Sequence, residues 1–321
     1  MNYRRLGRAK LQVSEIGFGG WAIGGNAFEC GYGPVDDDAS RAAIRRALEL
    51  GVTLFDTADI YGHGHSEALI GEVLDGWAGK ERVVVVTKGG INFYRPGRLP
   101  EPDFTPYAMA NAVQHSRARL RREKLDIYLL MNPPVDLLLE RTHVRDTLAA
   151  LQRAGQIGAT GVSAASVSDA AALLASDYPL DVIELPFNLF DQSAIHEALP
   201  LARKRRVGVI AREPLANGFL TGKYPLGDRF PETDLRAALP PEYREALSGA
   251  ASELKGVLER PGQRTLAQAA LRFVLDEPGV SCVIPGAKIA AQVEENVLAA
   301  ELPPLSEDEQ MAIHRVFFPE Q

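Results

Sequence analysis

The sequence contains little cysteine, with only Cys30 and Cys282 among its 321 residues. Two cysteines cannot build a disulfide framework, so we expect a protein of a reducing compartment. A single bridge between the two remains as an alternative. The residues that follow Arg5 also lack the apolar stretch of a secretion signal. Together these absences predict a cytoplasmic protein.

Two further absences narrow the choice of partners. No apolar run approaches the ~18 residues of a membrane-spanning helix, so we expect no membrane segment. Positive charge is not in excess, because the formal net charge is −7. This argues against nucleic acid or an anionic membrane as the main partner, although a local basic pocket could still bind a small phosphate. The sequence also lacks a linker or a low-complexity tract, which predicts one domain over residues 1–321. Nothing in it indicates an oligomeric state.

Short apolar segments alternate with amphipathic ones along the chain. The strand candidates are 16–20, 52–56, 82–87, 125–131, 157–162, 181–185, 207–211 and 280–284. Helical spacing covers 43–48, with N-cap candidates at 36–40, and 66–76, 106–122, 143–154, 168–176, 194–205, 263–276, 289–300 and 306–317. Strands that are apolar on both faces, such as Val83–Val86, are typical of buried parallel sheets. Eight such units predict an α/β fold, a (β/α)8 TIM barrel, rather than an open sheet.

Three segments lie outside this alternation. Residues 3–6 and 11–14 flank a glycine-containing turn and predict a short N-terminal β-hairpin. The last amphipathic segment predicts a C-terminal helix. The connection 212–262 is long and rich in proline, glycine and charge, which predicts a functional or mobile loop.

Polar residues stand where the predicted strands end, which is the active-site face of such a barrel. Asp56 ends the second strand, Tyr61 follows in a glycine-rich loop, and Lys88 follows four valines and Thr87. A buried lysine is costly unless it is paired, and Asp56 is the expected partner. The pair could be purely structural. Alternatively, Lys88 lowers the pKa of the Tyr61 phenol and so makes it an acid–base catalyst.

Several motifs carry a resemblance to a known family. The segments Asp56–Glu67, Thr87–Gly90, Gly218–Tyr224, Ile284–Lys288 and Gln292–Asn296 resemble those of the aldo-keto reductases. The resemblance covers nearly the whole chain. It implies a (β/α)8 barrel that transfers hydride reversibly between NADP(H) and a small-molecule carbonyl or alcohol. It also implies that Tyr61 is the proton donor and that Lys88 and Asp56 tune it.

One catalytic position departs from the family pattern. Where the family has a histidine at the end of the fourth strand, this chain has Met131, followed by Asn132. A thioether cannot donate a strong hydrogen bond, and one positioned donor is typically worth ~2.7–4 kcal/mol. We therefore expect a substrate other than a simple aldehyde, such as a sugar-derived or secondary-metabolite carbonyl, in a pocket of Trp21, Met131 and Asn132. Alternatively, the Met131 side chain only packs as an apolar group at the top of the barrel.

The resemblance also implies the cofactor site. Around the nicotinamide it implies Gly20, Trp21 and Ser163, with Glu184 in place of a glutamine and Phe187 in place of a stacking tyrosine. Glu184 would accept a hydrogen bond from the NH2 group of the nicotinamide carboxamide. Its negative charge would favour the oxidised, cationic nicotinamide over the reduced one. Phe187 could equally be core packing. For the phosphates and adenine it implies Pro214, Leu215, Asn217, Lys223, Gly286, Lys288, Gln292, Glu295 and Asn296, of which Gln292 and Glu295 could instead be a solvated helix face.

The residue types also bear on the choice of cofactor, on metal binding and on the function. Lys288 suits an adenosine 2′-phosphate and favours NADP over NAD. We predict no metal, because His63 and His65 have no third ligand at a suitable spacing. The leading hypothesis is an NADP(H)-dependent oxidoreductase that reduces an aldehyde or ketone. Two alternatives stay open: a redox-neutral epimerase or lyase that uses the same site, and a cofactor-sensing NADP-binding protein with little turnover.

Overall fold

The computed structural model describes residues 1–27, 31–95 and 99–317. Its strands are β1 (Tyr3–Leu6), β2 (Leu11–Ser14), β3 (Phe18–Gly19), β4 (Leu54–Asp56), β5 (Val84–Gly89), β6 (Ile91–Asn92), β7 (Glu101–Pro102), β8 (Leu125–Met131), β9 (Ile157–Ser163), β10 (Val182–Pro186), β11 (Gly208–Arg212) and β12 (Val280–Val283). Its α-helices are α1 (Asp37–Glu49), α2 (His65–Asp75), α3 (Pro106–Arg119), α4 (Val135–Glu140), α5 (Thr142–Arg153), α6 (Val167–Ala175), α7 (Ala194–Glu197), α8 (Leu199–Arg205), α9 (Pro241–Leu258), α10 (Leu266–Asp276), α11 (Ala290–Leu298) and α12 (Glu307–Phe317). Within the described residues, no helix is long and apolar enough to cross a membrane.

Eight of the strands form one parallel sheet in the order β3-β4-β5-β8-β9-β10-β11-β12. Its two edges meet, because Ile16 pairs with Val283 and Gly19 pairs with Gly286 in parallel bridges. Every residue of β5 is buried, which explains the run of valines that the sequence places there. The predicted (β/α)8 TIM barrel is confirmed.

The N-terminal hairpin closes the amino-terminal end of the barrel. Leu6 and Val13 belong to the interior cluster that also contains Leu54 and Ile127. Gly7 adopts φ +44°, and a Cβ there would lie 2.1 Å from the backbone nitrogen of Gly208. Only glycine fits this contact. The carboxyl-terminal end of the barrel is therefore the end that is left for a ligand.

Helix starts follow local capping chemistry. The Asp36 Oδ1 accepts hydrogen bonds from the backbone nitrogens of Asp38 at 2.9 Å and Ala39 at 3.0 Å, so Asp36 caps α1 as predicted. The predicted helix 194–205 is instead two helices, α7 and α8. Pro200 stands in the first turn of α8, and its missing N–H prevents α7 from continuing.

The connection 212–262 is only partly the long loop that we predicted. Its second half forms α9, which begins at Pro241 and buries Ala251, Leu254 and Leu258 at helical spacing. This helix packs against α12. Proline in the first turn is compatible with a helix, so the proline content concealed a helix start here. The loop prediction was therefore wrong for residues 241–258.

Candidate active site

Charged and polar side chains converge at the carboxyl ends of the barrel strands. Asp56 ends β4, Lys88 is the penultimate residue of β5, Ser163 ends β9 and Glu184 lies within β10. Parallel strands present these ends on one face of the barrel. A cavity of about 760 Å³ opens there.

Lys88 is enclosed by carboxylates at the bottom of this cavity. Its Nζ lies 2.5 Å from Asp56 Oδ1 and 2.6 Å from Asp56 Oδ2. Glu184 Oε2 contacts the same Nζ at 3.0 Å. The second Glu184 oxygen, Oε1, accepts a 2.9 Å hydrogen bond from Ser163 Oγ. The expected pairing of Lys88 with Asp56 is present, and Glu184 is an additional partner.

This buried cluster is electrostatically coupled. Burial and the neighbouring Glu184 raise the pKa of the Asp56 carboxyl well above its usual range, although Lys88 acts in the opposite direction. Burial also lowers the pKa of the Lys88 ammonium, but Asp56 and Glu184 outweigh it, and the net shift is upward. Lys88 therefore stays charged, and the two carboxyl groups face a single ammonium in a site with almost no water contact.

Tyr61 lies directly above this cluster. The Lys88 Nζ is 5.4 Å from the centroid of the Tyr61 ring. Trp21 meets that ring edge-on, with centroids 4.8 Å apart and an interplanar angle of 88°. Both aromatic residues line the cavity. The phenol is thus fixed by packing on one side and faces the cavity on the other.

The expected lowering of the Tyr61 pKa is wrong as a net effect. Burial raises the pKa of the Tyr61 phenol, and Lys88 lowers it, but Asp56 and Glu184 raise it again. The net shift is upward. The prediction from sequence counted the ammonium and not the desolvation or the second carboxylate. This upward shift of the pKa keeps Tyr61 in its phenol form at neutral pH.

Met131 and Asn132 occupy the cavity wall next to β9. Met131 pairs in register with Ser163, and both Met131 and Asn132 line the cavity. Asn132 adopts a left-handed backbone conformation with φ 47°. The thioether is half-buried and offers no strong hydrogen-bond donor. Met131 consequently makes this part of the cavity wall apolar.

The opposite end of the cavity is cationic. Lys223, Arg236 and Lys288 all line it. Burial lowers the pKa of Lys288, and Arg236 and Lys223 lower it further, while Asp234 opposes them. Arg236 and Lys223 are therefore near enough to Lys288 for the three cations to act on one anionic group.

Four side chains cover this cationic end, and we call them the clasp: Tyr32, Asn217, Asp234 and Arg236. The Arg236 Nε donates to Asp234 Oδ1 at 2.8 Å, and the guanidinium lies 4.9 Å from the ring centroid of Tyr32. The Tyr32 hydroxyl donates to Asn217 Oδ1 at 2.7 Å, and Lys288 Nζ donates to the Tyr32 carbonyl at 2.7 Å. The loop after β3 and the segment after β11 are thereby joined across the cavity.

Comparison with known proteins agrees with this arrangement. The model of the aldo/keto reductase family matches residues 15–316. The chain belongs to the aldo/keto reductase family. It is 30% identical to aldo-keto reductase YhdN of Bacillus subtilis (strain 168) over 298 residues, which are 92% of this chain and 87% of YhdN.

Solved structures extend this similarity to the fold. The glycerol dehydrogenase AKR11B4 from Gluconobacter oxydans is 30% identical, with a TM-score of 0.83 and coverage of 98% of this chain and 95% of that one. The holo form of aldo-keto reductase AKR11C1 from Bacillus halodurans is 26% identical, with a TM-score of 0.80 and coverage of 98% and 96%. Both align over nearly the entire barrel.

In this aldo/keto reductase, most of the predicted site residues meet in the one cavity. Those that line it are Trp21, Asp56, Tyr61, Met131, Asn132, Ser163, Glu184, Pro214, Leu215, Asn217, Lys223, Gly286, Lys288, Gln292, Glu295 and Asn296. Lys88 lies beneath the wall. Gly20 is buried behind it, where its carbonyl accepts from Ser66 Oγ at 2.9 Å. Phe187 is fully buried and packs against Phe273 at 5.7 Å between ring centroids, so its position agrees with core packing.

Other cavity residues of this aldo/keto reductase were not predicted. Tyr32, Arg212 and Arg236 stand in segments that the sequence presents as loops or as a strand end. Arg212 Nη2 donates to the carbonyls of Ala164 at 3.0 Å and Ala165 at 3.2 Å. The sequence did contain a signal for Arg212, because an arginine at the end of an apolar strand is a candidate for the active-site face. The clasp residues had no comparable signal, because they meet only through the tertiary fold.

The remaining sequence-based hypotheses concern residues away from the cavity. His65 Nε2 lies 2.8 Å from Asp37 Oδ1, and His63 stacks on Phe93 at 4.7 Å. Each histidine thus has a structural role. Cys282 is buried inside the barrel, whereas Cys30 lies outside the described residues, so the alternative of a disulfide stays untested.

Proposed function

We propose that this aldo/keto reductase uses NADP(H) to reduce an aldehyde or ketone to an alcohol. The observation that carries the proposal is the Tyr61 ring above the buried Lys88 ammonium, in a cavity whose far end is cationic. A proton donor and a phosphate-binding region in one cavity are what such a reaction requires.

The cavity suits a dinucleotide in size and chemistry. Its volume of about 760 Å³ lies within the usual range for cofactor sites, ~300–1,000 Å³. Lys223, Arg236 and Lys288 would hold phosphate groups, and Lys288 favours the 2′-phosphate of NADP. Gln292 and Asn296 on α11 offer polar groups for the adenosine end. When bound, the cofactor supplies or receives the hydride.

The side chains of the chain supply the proton transfer. Tyr61 donates its proton to the substrate oxygen as that oxygen gains negative charge. The phenolate that results is stabilised by the nearby Lys88 ammonium. Trp21 and Met131 form apolar walls that exclude water from the transfer.

Met131 narrows the substrate class. With Met131 where the family pattern has a histidine, Tyr61 is the donor that we assign to the substrate oxygen. A substrate with additional hydroxyl groups would gain binding energy elsewhere in the cavity. The solved structure at 30% identity is named as a glycerol dehydrogenase, which supports a polyhydroxylated, sugar-derived carbonyl.

A substrate panel with a matched tyrosine control tests the proposal. NADPH consumption is followed with simple aldehydes and with polyhydroxylated carbonyls. Tyr61→Phe should lower turnover about 10²–10⁴-fold, the usual contribution of a general acid, and leave NADPH fluorescence binding nearly unchanged. Tyr107→Phe, at an exposed tyrosine outside the cavity, should change neither.

Each outcome of that experiment separates the candidate functions. Full activity of Tyr61→Phe contradicts the assigned proton donor. Failure to bind either NADPH or NADH removes both the reductase and the cofactor sensor. Tight binding without turnover of any substrate favours the sensor. Product formation without net NADPH consumption favours a redox-neutral reaction.

A further inference from the structure

Glu184 connects opposite parts of the barrel. It lies on β10, whereas Lys88 lies on β5, and β8 and β9 separate these two strands in the sheet. The 3.0 Å contact from Lys88 Nζ to Glu184 Oε2 therefore crosses the barrel interior. Ser163 Oγ holds the second carboxylate oxygen at 2.9 Å. Both oxygens of Glu184 thus have protein partners, which differ from the cofactor carboxamide that the resemblance implied.

The contacts around Lys88 use its full donor capacity. An ammonium has three N–H donors, and three carboxylate oxygens surround the Nζ, two from Asp56 and one from Glu184. All three side chains are at most 2% exposed. Because its donors point at carboxylates, Lys88 acts on the Tyr61 ring at 5.4 Å through its charge.

Glu184 changes the balance of charge beneath Tyr61. Lys88 with Asp56 alone would be a neutral pair. A second buried carboxylate on the same ammonium makes the cluster net negative, or retains a proton between the two carboxyl groups. The net negative state opposes the formation of another negative charge on the phenol above it, whereas the state that retains a proton is neutral.

We propose that Glu184 is a positioning residue of the proton-transfer unit, which acts through Lys88 to keep Tyr61 in its protonated, proton-donating form. This inference rests on the proposed function for its catalytic meaning. It gives the site a preferred direction, since carbonyl reduction requires the phenol and alcohol oxidation requires the phenolate as a base.

Four charged groups face Tyr61 from four strands. They are Asp56 on β4, Lys88 on β5, Glu184 on β10 and Arg212 on β11. Lys88 and Arg212 favour the phenolate, whereas the two carboxylates oppose it. Removal of one carboxylate charge leaves the two cations in excess, so the ionisation of Tyr61 should become easier.

A spectroscopic titration without cofactor tests this directly. Tyrosinate absorbance is recorded as the pH rises from about 10, the usual pKa of tyrosine, to the highest pH at which the protein stays folded, in the wild type and in Glu184→Gln. The variant keeps the shape of the side chain and removes its charge. One additional tyrosine should ionise earlier, with a shift on the order of one pH unit, the effect of a nearby unit charge at an effective dielectric constant of about 20.

Three companion variants assign the signal. Glu184→Gln combined with Tyr61→Phe should lose the additional signal. Glu184→Asp, which retains the charge, and Ser163→Ala, which removes only a hydrogen bond to Glu184, should titrate like the wild type. A wild-type titration for Glu184→Gln, or an additional signal that persists without Tyr61, would overturn the inference.

A kinetic measurement keeps this test separate from the proposed function. With an alcohol substrate, oxidation by Glu184→Gln should begin to rise at lower pH than in the wild type, while carbonyl reduction changes less. If the enzyme binds no cofactor, the proposed function fails and the titration still decides the role of Glu184. If the titration shows no shift, the inference fails whatever the activity.

Discussion

The Tyr32 hydroxyl lies 2.7 Å from Asn217 Oδ1 and donates a hydrogen bond that joins two loops across the cavity. Tyr32 follows β3, and Asn217 follows β11. Burial raises the pKa of the Tyr32 phenol well above its usual range, so the hydroxyl remains a donor at any working pH.

Removal of the Tyr32 hydroxyl should loosen the clasp over the cationic end of the cavity. Tyr32→Phe keeps the ring against Arg236 and loses only the hydrogen bond. One such bond contributes ~0.5–1.5 kcal/mol, so NADPH should bind about 2- to 10-fold more weakly, mainly through faster release. Stopped-flow fluorescence measures the release rate, and Tyr107→Phe is the control. An unchanged release rate would show that the clasp does not retain the cofactor.

Lys88→Met should destabilise the fold in a pH-dependent way. The substitution leaves Asp56 and Glu184 buried without their cation, which costs about 3–5 kcal/mol. The pKa of Asp56 is already raised above its unfolded value, and without Lys88 it rises further. A carboxyl with a raised pKa stabilises the fold at low pH and loses this contribution as the pH rises.

The deficit of Lys88→Met should therefore shrink as the pH falls toward about 5. Urea unfolding at neutral and at acid pH measures it. Lys80→Met, at a half-exposed lysine that pairs with Asp75, is the control and should cost less than about 1 kcal/mol. An equal deficit for Lys88→Met at both pH values would contradict the buried-charge account.

Lys288→Met should reduce the preference for NADPH over NADH. A charge-assisted hydrogen bond contributes ~1.5–3 kcal/mol, so NADPH affinity should fall about 10- to 100-fold while NADH affinity changes little. Lys204→Met changes the charge by the same amount on α8, and no effect is expected from it. Fluorescence titration with both cofactors gives the ratio. Equal losses for both cofactors would place Lys288 away from the 2′-phosphate.

Met131→His should improve the reduction of simple aldehydes. Histidine offers a hydrogen-bond donor beside Tyr61, and one such donor is worth ~2.7–4 kcal/mol at an ideal position. We expect kcat/KM for a small aldehyde to rise about 10-fold. This is less than an ideally placed donor would give, because the surrounding wall is not shaped for the new ring. Met131→Leu, which preserves the apolar wall, should leave it nearly unchanged. No gain in Met131→His would mean that the wall excludes simple aldehydes sterically.

The barrel could be predicted from sequence because its signals are local. Buried parallel strands produce short apolar runs, as at Val83–Val86, and the intervening helices repeat at 3.6 residues. The prediction failed at 241–258, where proline and charge are typical of a loop but the chain forms α9. It also missed the break between α7 and α8, since helical spacing continues through Pro200.

The sequence by itself determined which residues stand at the strand ends, and therefore that Asp56, Tyr61 and Lys88 would meet. Strand order and parallel direction are enough for that conclusion. The tertiary structure alone decided that Glu184 contacts Lys88, because the closure of the barrel brings together side chains that are 96 residues apart. Burial likewise decided the sign of the Tyr61 pKa shift: a sequence shows which charges are present, but desolvation depends on everything packed around them.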